Sequence, residues 1–211
     1  ERDADYIWIL NPDTEPEPKA LQLLTATMAS HPDAGFVGSI NLAGGSNPPT
    51  VQFAGGRIDW DAGGHTESVA IGRPVSELRS VEPYEVDYVA GTSMLVRRAV
   101  FADVGLLPED YFLYFAETDF QQEARAHGWR SFMSPLARVW HHQRSTGSVP
   151  APYYVYYYIR GRLLFGQRHS KLTCGELEAG LAPFVTGWRD RVVNNAPGWI
   201  DTYDRLVQWA I

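Results

Sequence analysis

The run Y-I-W-I-L-N-P-D-T at residues 6–14 constrains this chain more than any other, because it joins a strand to an acidic turn. Residues 6–10 are apolar, β-branched and aromatic over the length of one buried strand. Pro12 lacks the N–H that a further ladder bond needs, so the strand stops at Asn11. Asp13 is left at the carboxyl end of a strand expected to be central, where open α/β sheets place their ligands. A carboxylate there can hold a divalent cation, and the cation can hold a diphosphate. The same residues 11–14 are turn formers, so the stretch by itself supports a plain turn as well as a metal site.

Composition narrows the classes. The chain has 211 residues and 45% apolar content, enough for one large globular domain or a domain with a tail. A net charge of -7 argues against nucleic acid as a partner. The charge is uneven: residues 1–119 carry 19 acids against 7 bases, whereas residues 120–175 carry 8 bases and one acid, Glu123. An acidic half beside a basic half suits a metal site facing a phosphate-bearing ligand or an anionic lipid head group, and a solvated surface gives the same count. Cys174 is the single cysteine, so no intrachain disulfide forms and a reducing, cytoplasmic compartment is the simpler assumption. Its expected role is that of a small buried hydrophobe. No run of about 18 apolar residues is present to span a bilayer, and no signal-peptide pattern is visible. The abrupt start, E-R-D-A-D running into a strand, raises the expectation of further residues ahead of it.

After the turn, helix and strand signals alternate. Pro18 suits a helix start, and Leu21, Leu24 and Met28 recur at helical spacing up to His31-Pro32. Residues 35–40 read as a second strand, and the strand-helix-strand order predicts a right-handed crossover in a parallel sheet. Residues 41–64 are rich in Gly, Asn, Ser and Pro, a loop-rich insertion with short strands at 51–53 and near Ile58. Asp59 and Asp61 within it are candidate metal ligands, with solvated loop acids the plainer reading. Residues 84–96, Y-E-V-D-Y-V-A-G-T-S-M-L-V, read as a strand interrupted at Gly91-Thr92, where a ligand or another segment comes close. A short helix over 99–103 follows, ended by Gly105.

A second acidic stretch, Y-F-L-Y-F-A-E-T-D-F at 111–120, sets an aromatic wall before Glu117 and Asp119 at the start of a helix. Thr118 or Asp119 serves as the N-cap in the plainer reading. Glu117, one residue ahead of that cap and beside aromatics, is placed to be desolvated and to accept a proton from a bound hydroxyl. Residues 137–141 form a strand entering His141-His142 and the loop Q-R-S-T-G-S, where a histidine near Arg144 suits a metal or an anion, or is structural. A helix over 153–165 turns from aromatic to basic, and two amphipathic helices broken at 194–198 complete the chain, with Leu177, Leu181, Phe184, Val185 and Trp188 on one stripe.

Taken in order, L-N-P-D-T, D-Y-V-A-G-T-S-M-L-V-R-R-A-V-F-A-D-V-G, Y-F-L-Y-F-A-E-T-D-F, V-W-H-H-Q-R-S-T-G and Y-Y-Y-I-R-G-R-L-L-F resemble the inverting family-two glycosyltransferases, in particular their rhamnosyltransferase-like branch, over residues 5–170. The resemblance implies an α/β fold of the GT-A type: a mixed, mainly parallel sheet flanked by helices, a partial Rossmann-like domain, with a C-terminal helical tail. It assigns residues 1–170 to the later portion of the catalytic domain and 171–211 to a helical extension. It further implies a nucleotide-sugar donor carrying dTDP or UDP, a Mg or Mn ion, and inverting transfer to a hydroxyl. Asp13 falls on the metal- and diphosphate-binding position, with Asn11 in place of an acid. Ala116 to Asp119 fall on the family's Glu-Asp-x-Asp motif, so Glu117 holds the general-base position and Asp119 is its possible substitute; Ala116 and the longer Glu117 depart from the pattern. His141 falls on the strand-end histidine near the metal. Arg160 falls on the arginine of the late helix, followed by Gly161 where the family has Asn. Gly91 and Thr92 let backbone and hydroxyl approach the sugar or acceptor.

On that resemblance the acceptor is a glycan or lipid-linked glycan of the cell envelope. The basic stretch 160–171 would face the inner surface of a membrane peripherally, and an exposed sheet edge would support a homo-oligomer. A sugar-phosphate nucleotidyltransferase lacks support because no Gly-rich basic phosphate loop is seen early in the chain. A non-catalytic carbohydrate-binding or assembly module is favoured by Ala116 and opposed by Asp13, Glu117 and His141.

Overall fold

The computed structural model describes residues 3–142 and 149–211. These fall into two compact units: the described parts of Glu1–Arg57, Thr66–Leu107 and Glu117–Gln143 form one, and those of Ile58–His65, Pro108–Ala116 and Arg144–Ile211 the other.

The first unit is built on a seven-stranded sheet with flanking helices. Its backbone order is β1 (Tyr6–Leu10), β8 (Ser93–Arg97), β3 (Ala34–Ala43), β9 (Arg130–His141) and β2 (Thr14–Pro16), with β4 (Val51–Phe53) beside β3 and β7 (Tyr84–Val86) beside β9. A two-stranded ribbon of β5 (Gly56–Asp59) and β6 (His65–Ser68) is separate from it. β1 is an edge strand among the described residues, not the central one expected. The reason is β8, an apolar strand from far along the chain, which inserts between β1 and β3 and runs antiparallel to both. β1 and β3 are therefore parallel to each other, as the crossover predicted, but are not paired. The sheet is mixed as expected, yet not mainly parallel: of the ladders described, β3 with β9 alone is parallel. The run at 84–96 is two strands, since residues 87–92 leave the ladder between β7 and β8.

Helix α1 (Ala20–Ser30) buries Leu24 and Met28 against Val37, Leu95, Phe132 and Ala137. Leu21 is 47% exposed and off that face. Arg97, the last residue of β8, closes the helix from outside. Its Nε donates to the Ala34 carbonyl at 2.8 Å, and its Nη2 to those of Met28 at 2.8 Å and His31 at 3.2 Å. The bonds to Met28 and His31 fall on the carbonyls at the helix end, where intrahelical partners are lacking, and the bond to Ala34 ties that end to β3. α2 (Arg98–Val104) follows, ended by Gly105 at φ 87°, and α3 (Ala116–Ala126) precedes β9.

The second unit is helical: α4 (Pro152–His169), α5 (Cys174–Asn195) and α6 (Ile200–Ala210). Pro152 takes the first helical position of α4, where its missing N–H costs nothing. Thr173 and Glu176 form a reciprocal capping box on α5. Val155, Ile159, Leu181, Trp188, Val192, Tyr203 and Ala210 make the core. The Tyr203 hydroxyl donates to the Val185 carbonyl at 2.7 Å, and Arg189 grips the Asp204 carboxylate with a fork of 2.9 and 3.0 Å. Leu177, Leu181 and Trp188 are buried as the stripe required. Cys174 is exposed rather than buried, because the cap at Thr173 makes it the first residue of the helix.

Candidate active site

The end of β1 and the end of β9 build the first half of the site. The Asn11 carbonyl accepts from the Thr14 hydroxyl at 2.7 Å, closing the turn that Pro12 starts. The chain then re-enters the sheet as β2 and pairs Thr14 with His141. The His142 backbone N–H donates to the Asp13 carbonyl at 2.8 Å. Backbone pairing thus brings Asp13 Oδ1 and His141 Nε2 to 3.3 Å. His141 is 8% exposed, while the Asp13 side chain is 45% exposed and open to a ligand. On its other nitrogen, His141 Nδ1–H donates to Gln52 Oε1 at 2.6 Å. A second pair, His142 Nε2 and Glu15 Oε2, lies at 3.3 Å and is solvent-exposed. Arg144 and the Ser/Thr/Gly stretch at 145–148 lie outside the described residues.

Asp13 and His141 fit a small divalent cation. Neighbouring ligands of an octahedral ion with bonds of about 2.1 Å sit about 3 Å apart, close to the separation seen. Carboxylate oxygen suits Mg and Mn. Among the described residues no group of three or more His, Cys, Asp or Glu side chains converges. Asp59 is engaged otherwise, its Oδ1 accepting from the Ala62 N–H at 3.0 Å.

The second half rests on α3. The helix begins at Ala116, so Glu117 is inside its first turn and neither Thr118 nor Asp119 is the N-cap expected. Tyr114 and Phe115, at φ 63° and 67°, reverse the chain just ahead of it, a conformation that bulky residues adopt rarely. The Gly91 N–H donates to the Glu117 carboxylate, and a Cβ built on Gly91 would lie 3.6 Å from Glu117 Cδ and Oε1. Burial pushes the Glu117 carboxyl above its ordinary value, and the backbone N–H groups of Glu117 and Gly91 pull it partly back. The Thr92 carbonyl accepts from the Asn11 N–H at 3.1 Å. Asn11, Gly91, Thr92 and Glu117 are thereby tied together in one unit with Asp13 and His141. Asp119 is 5% exposed and, two residues on from Glu117, does not share its helix face.

Two glutamines that the sequence reading passed over hold this arrangement. Gln52 backs His141. Gln121, buried one turn after Glu117, accepts from the Val89 N–H and the Ser131 hydroxyl and donates to the carbonyls of Val89 and Glu117, at 2.8 to 2.9 Å. A glutamine four residues beyond an acid on an amphipathic helix was the available signal, but its partners lie far off in sequence.

Arg160 belongs to the second unit, where its Nη1 donates to the Asp110 carbonyl at 2.8 Å. Arg168 pairs with the Asp110 carboxylate. Arg162 is 1% exposed and donates to the carbonyls of Ala62 and Gly180. Three of the bases that made 160–171 look like a membrane-facing stretch are thus engaged inside the unit. Gly161 admits Phe115: a Cβ there would come within 3.0 Å of its ring. No helix among the described residues is long and apolar enough to cross a membrane.

No protein-family model matches the chain. It is 29% identical over 185 residues to the N-acetylglucosaminyl-diphospho-decaprenol L-rhamnosyltransferase of Mycobacterium tuberculosis, in two strains, an alignment that covers 79% of this chain and 56% of the relative. The chain therefore spans about half the length of the curated relatives it matches. Among solved structures, that of GalNAc-T7 with UDP, GalNAc and Mn2+ superposes with a TM-score of 0.54 at 19% identity, covering 74% of this chain and 32% of the other. In sequence the chain is a relative of a rhamnosyltransferase, and in fold it is of the GT-A type found in glycosyltransferases.

Proposed function

We propose that this chain works in glycosyl transfer, moving a sugar from a nucleotide-diphosphate donor to an acceptor hydroxyl in one inverting displacement. The observation that carries the reading is the linkage in one unit of a half-buried, desolvated carboxyl, Glu117 on the Gly91 N–H, with the Asp13–His141 pair through the Asn11–Thr92 hydrogen bond. Glu117 takes the proton from the acceptor hydroxyl as that oxygen attacks the anomeric carbon. The bond from the anomeric carbon to the diphosphate breaks on the opposite face, and its electron pair leaves with the diphosphate. Burial that raises the Glu117 carboxyl makes its anion a stronger base. A divalent ion, Mg or Mn, held by Asp13 and His141, would supply charge stabilisation for the leaving diphosphate. Asp13 and His141 orient that end, while Gly91 and Thr92 present backbone and hydroxyl to the sugar or acceptor.

The relative's name supports L-rhamnose as the sugar and a lipid-linked N-acetylglucosaminyl diphosphate as the acceptor. The UDP and Mn2+ bound by GalNAc-T7 support a nucleoside diphosphate and a divalent ion, with dTDP and UDP the carriers to compare. A lipid-linked acceptor would bring the chain to the cytoplasmic face of a membrane. The test is calorimetric titration with dTDP and UDP, with and without Mn2+, followed by transfer assays. Metal-dependent binding lost in Asp13→Ala, and transfer lost but binding kept in Glu117→Gln, are the expected results. Equal loss of binding and transfer in Glu117→Gln rejects the base assignment, and metal-independent nucleotide binding rejects the cation.

A further inference from the structure

The residue that decides how His141 presents itself is on neither of the strands that carry the site. We propose that Gln52 is a positioning residue that fixes the ring orientation and tautomer of His141, so that Nε2 becomes the ligand atom beside Asp13; this rests on the metal reading above. The backbone of His141 has little freedom. It is paired with Ala43 on one side and Thr14 on the other, and its carbonyl accepts from the Gly44 N–H at 2.9 Å. A Cβ on Gly44 would come within 2.8 Å of His142 Cα, so the neighbouring strand end is packed directly against this backbone. What remains undetermined by the sheet is the rotation of the imidazole, which exchanges Nδ1 with Cδ2 and Nε2 with Cε1 and so decides whether a nitrogen or a carbon faces Asp13.

Gln52 settles that rotation. It sits in β4 between Val51 and Phe53, both buried, so that alternation turns it to the opposite face of the strand. β4 is held in turn by pairing of Leu42 with Val51 and of Asn41 with Phe53. An amide oxygen only accepts, so Gln52 Oε1 at 2.6 Å places the imidazole hydrogen on Nδ1. The Nε2 lone pair of the neutral ring then faces Asp13 Oδ1, itself an acceptor, across 3.3 Å. For the neutral ring, two acceptors so opposed call for a cation bound to both; a proton on Nε2 is the other way to satisfy the pair, and the Mn2+ titration separates the two. Outer partners of this kind set both the orientation and the basicity of a ligating histidine.

Gln52→Leu removes the acceptor at similar size, and Gln52→Glu keeps it. Mn2+ affinity is read from the electron paramagnetic resonance of the free ion, and the tautomer from imidazole 15N shifts assigned with His141→Asn. The proposal expects Gln52→Leu to lose the Nδ1–H tautomer and weaken Mn2+ binding about 10–100-fold, while Gln52→Glu preserves both. An unchanged tautomer or unchanged Mn2+ affinity in a folded Gln52→Leu overturns it. Wild-type protein that binds no Mn2+ overturns the metal seat itself, and the role of Gln52 toward it, which is a separate result from the first.

Discussion

Gln121 closes both backbone groups of Val89, accepting from its N–H and donating to its carbonyl, each at 2.8 Å. Val89 is fully buried and lies two residues before Gly91. Gln121→Leu keeps the volume and strands both groups, at about 1–3 kcal/mol for each one left unsatisfied. The urea midpoint should drop accordingly. Because Gly91 then loses its fixed place beside Glu117, kcat should fall by more than KM rises. Normal kcat in the destabilised variant would show that the clamp serves the fold alone.

The raised Glu117 carboxyl carries a stability signature. Its folded pKa exceeds the ordinary value of 4.5, so the folded state resists the charge that the unfolded chain accepts freely. The penalty is absent below the ordinary value and sets in as pH rises through the folded pKa. Glu117→Gln should therefore melt higher than wild type at neutral pH, by about 2–4 °C for each kcal/mol relieved, and the gap should close near pH 4. A gap that does not change with pH would mean that the carboxylate is not desolvated.

The same shift governs the rate. If Glu117 is the base proposed, it acts only when ionised, so transfer should decline tenfold per pH unit on the acid side of a pKa lying above 4.5. Glu117→Gln should lower kcat by about 100- to 10,000-fold, the range for losing a positioned base. The pH profile of kcat/KM checks the first statement and single-turnover transfer the second.

Arg97 offers a control away from the chemistry. Arg97→Met retains the apolar stem but removes the guanidinium donor from the carbonyls of Met28 and Ala34 and leaves that of His31 with the Ala34 N–H alone. A loss of about 2 kcal/mol in urea unfolding is expected, with nucleotide affinity unchanged.

Local patterns in the sequence located β1, α1, β4, α4, α5 and α6, because each is announced by a run, a period, a proline or a cap that neighbouring residues supply. β1 lay at the edge rather than the centre because its partner β8 is contributed from 85 residues away, a separation no local pattern encodes. β2 escaped notice because three residues ending in proline carry almost no strand signal. The start of α3 was displaced because Tyr114 and Phe115 adopt a backbone that sequence rules reserve for glycine, asparagine and aspartate. Asp13, His141 and Glu117 stood out as chemistry-bearing side chains at the ends of elements. Gln52 and Gln121 did not, since a neutral amide reveals its role only through partners, here 89 and 32 residues distant.

The bond from the Asn11 N–H to the Thr92 carbonyl sets how the site must operate. It is one rung beyond the β1–β8 ladder, so the turn that carries Asp13 and the segment that carries Gly91 are fastened as firmly as neighbouring strands. On the reading proposed above, the proton acceptor and the seat of the leaving group are joined through this rung. In that reading the polar groups are aimed before the reaction begins and need no reorganisation during it.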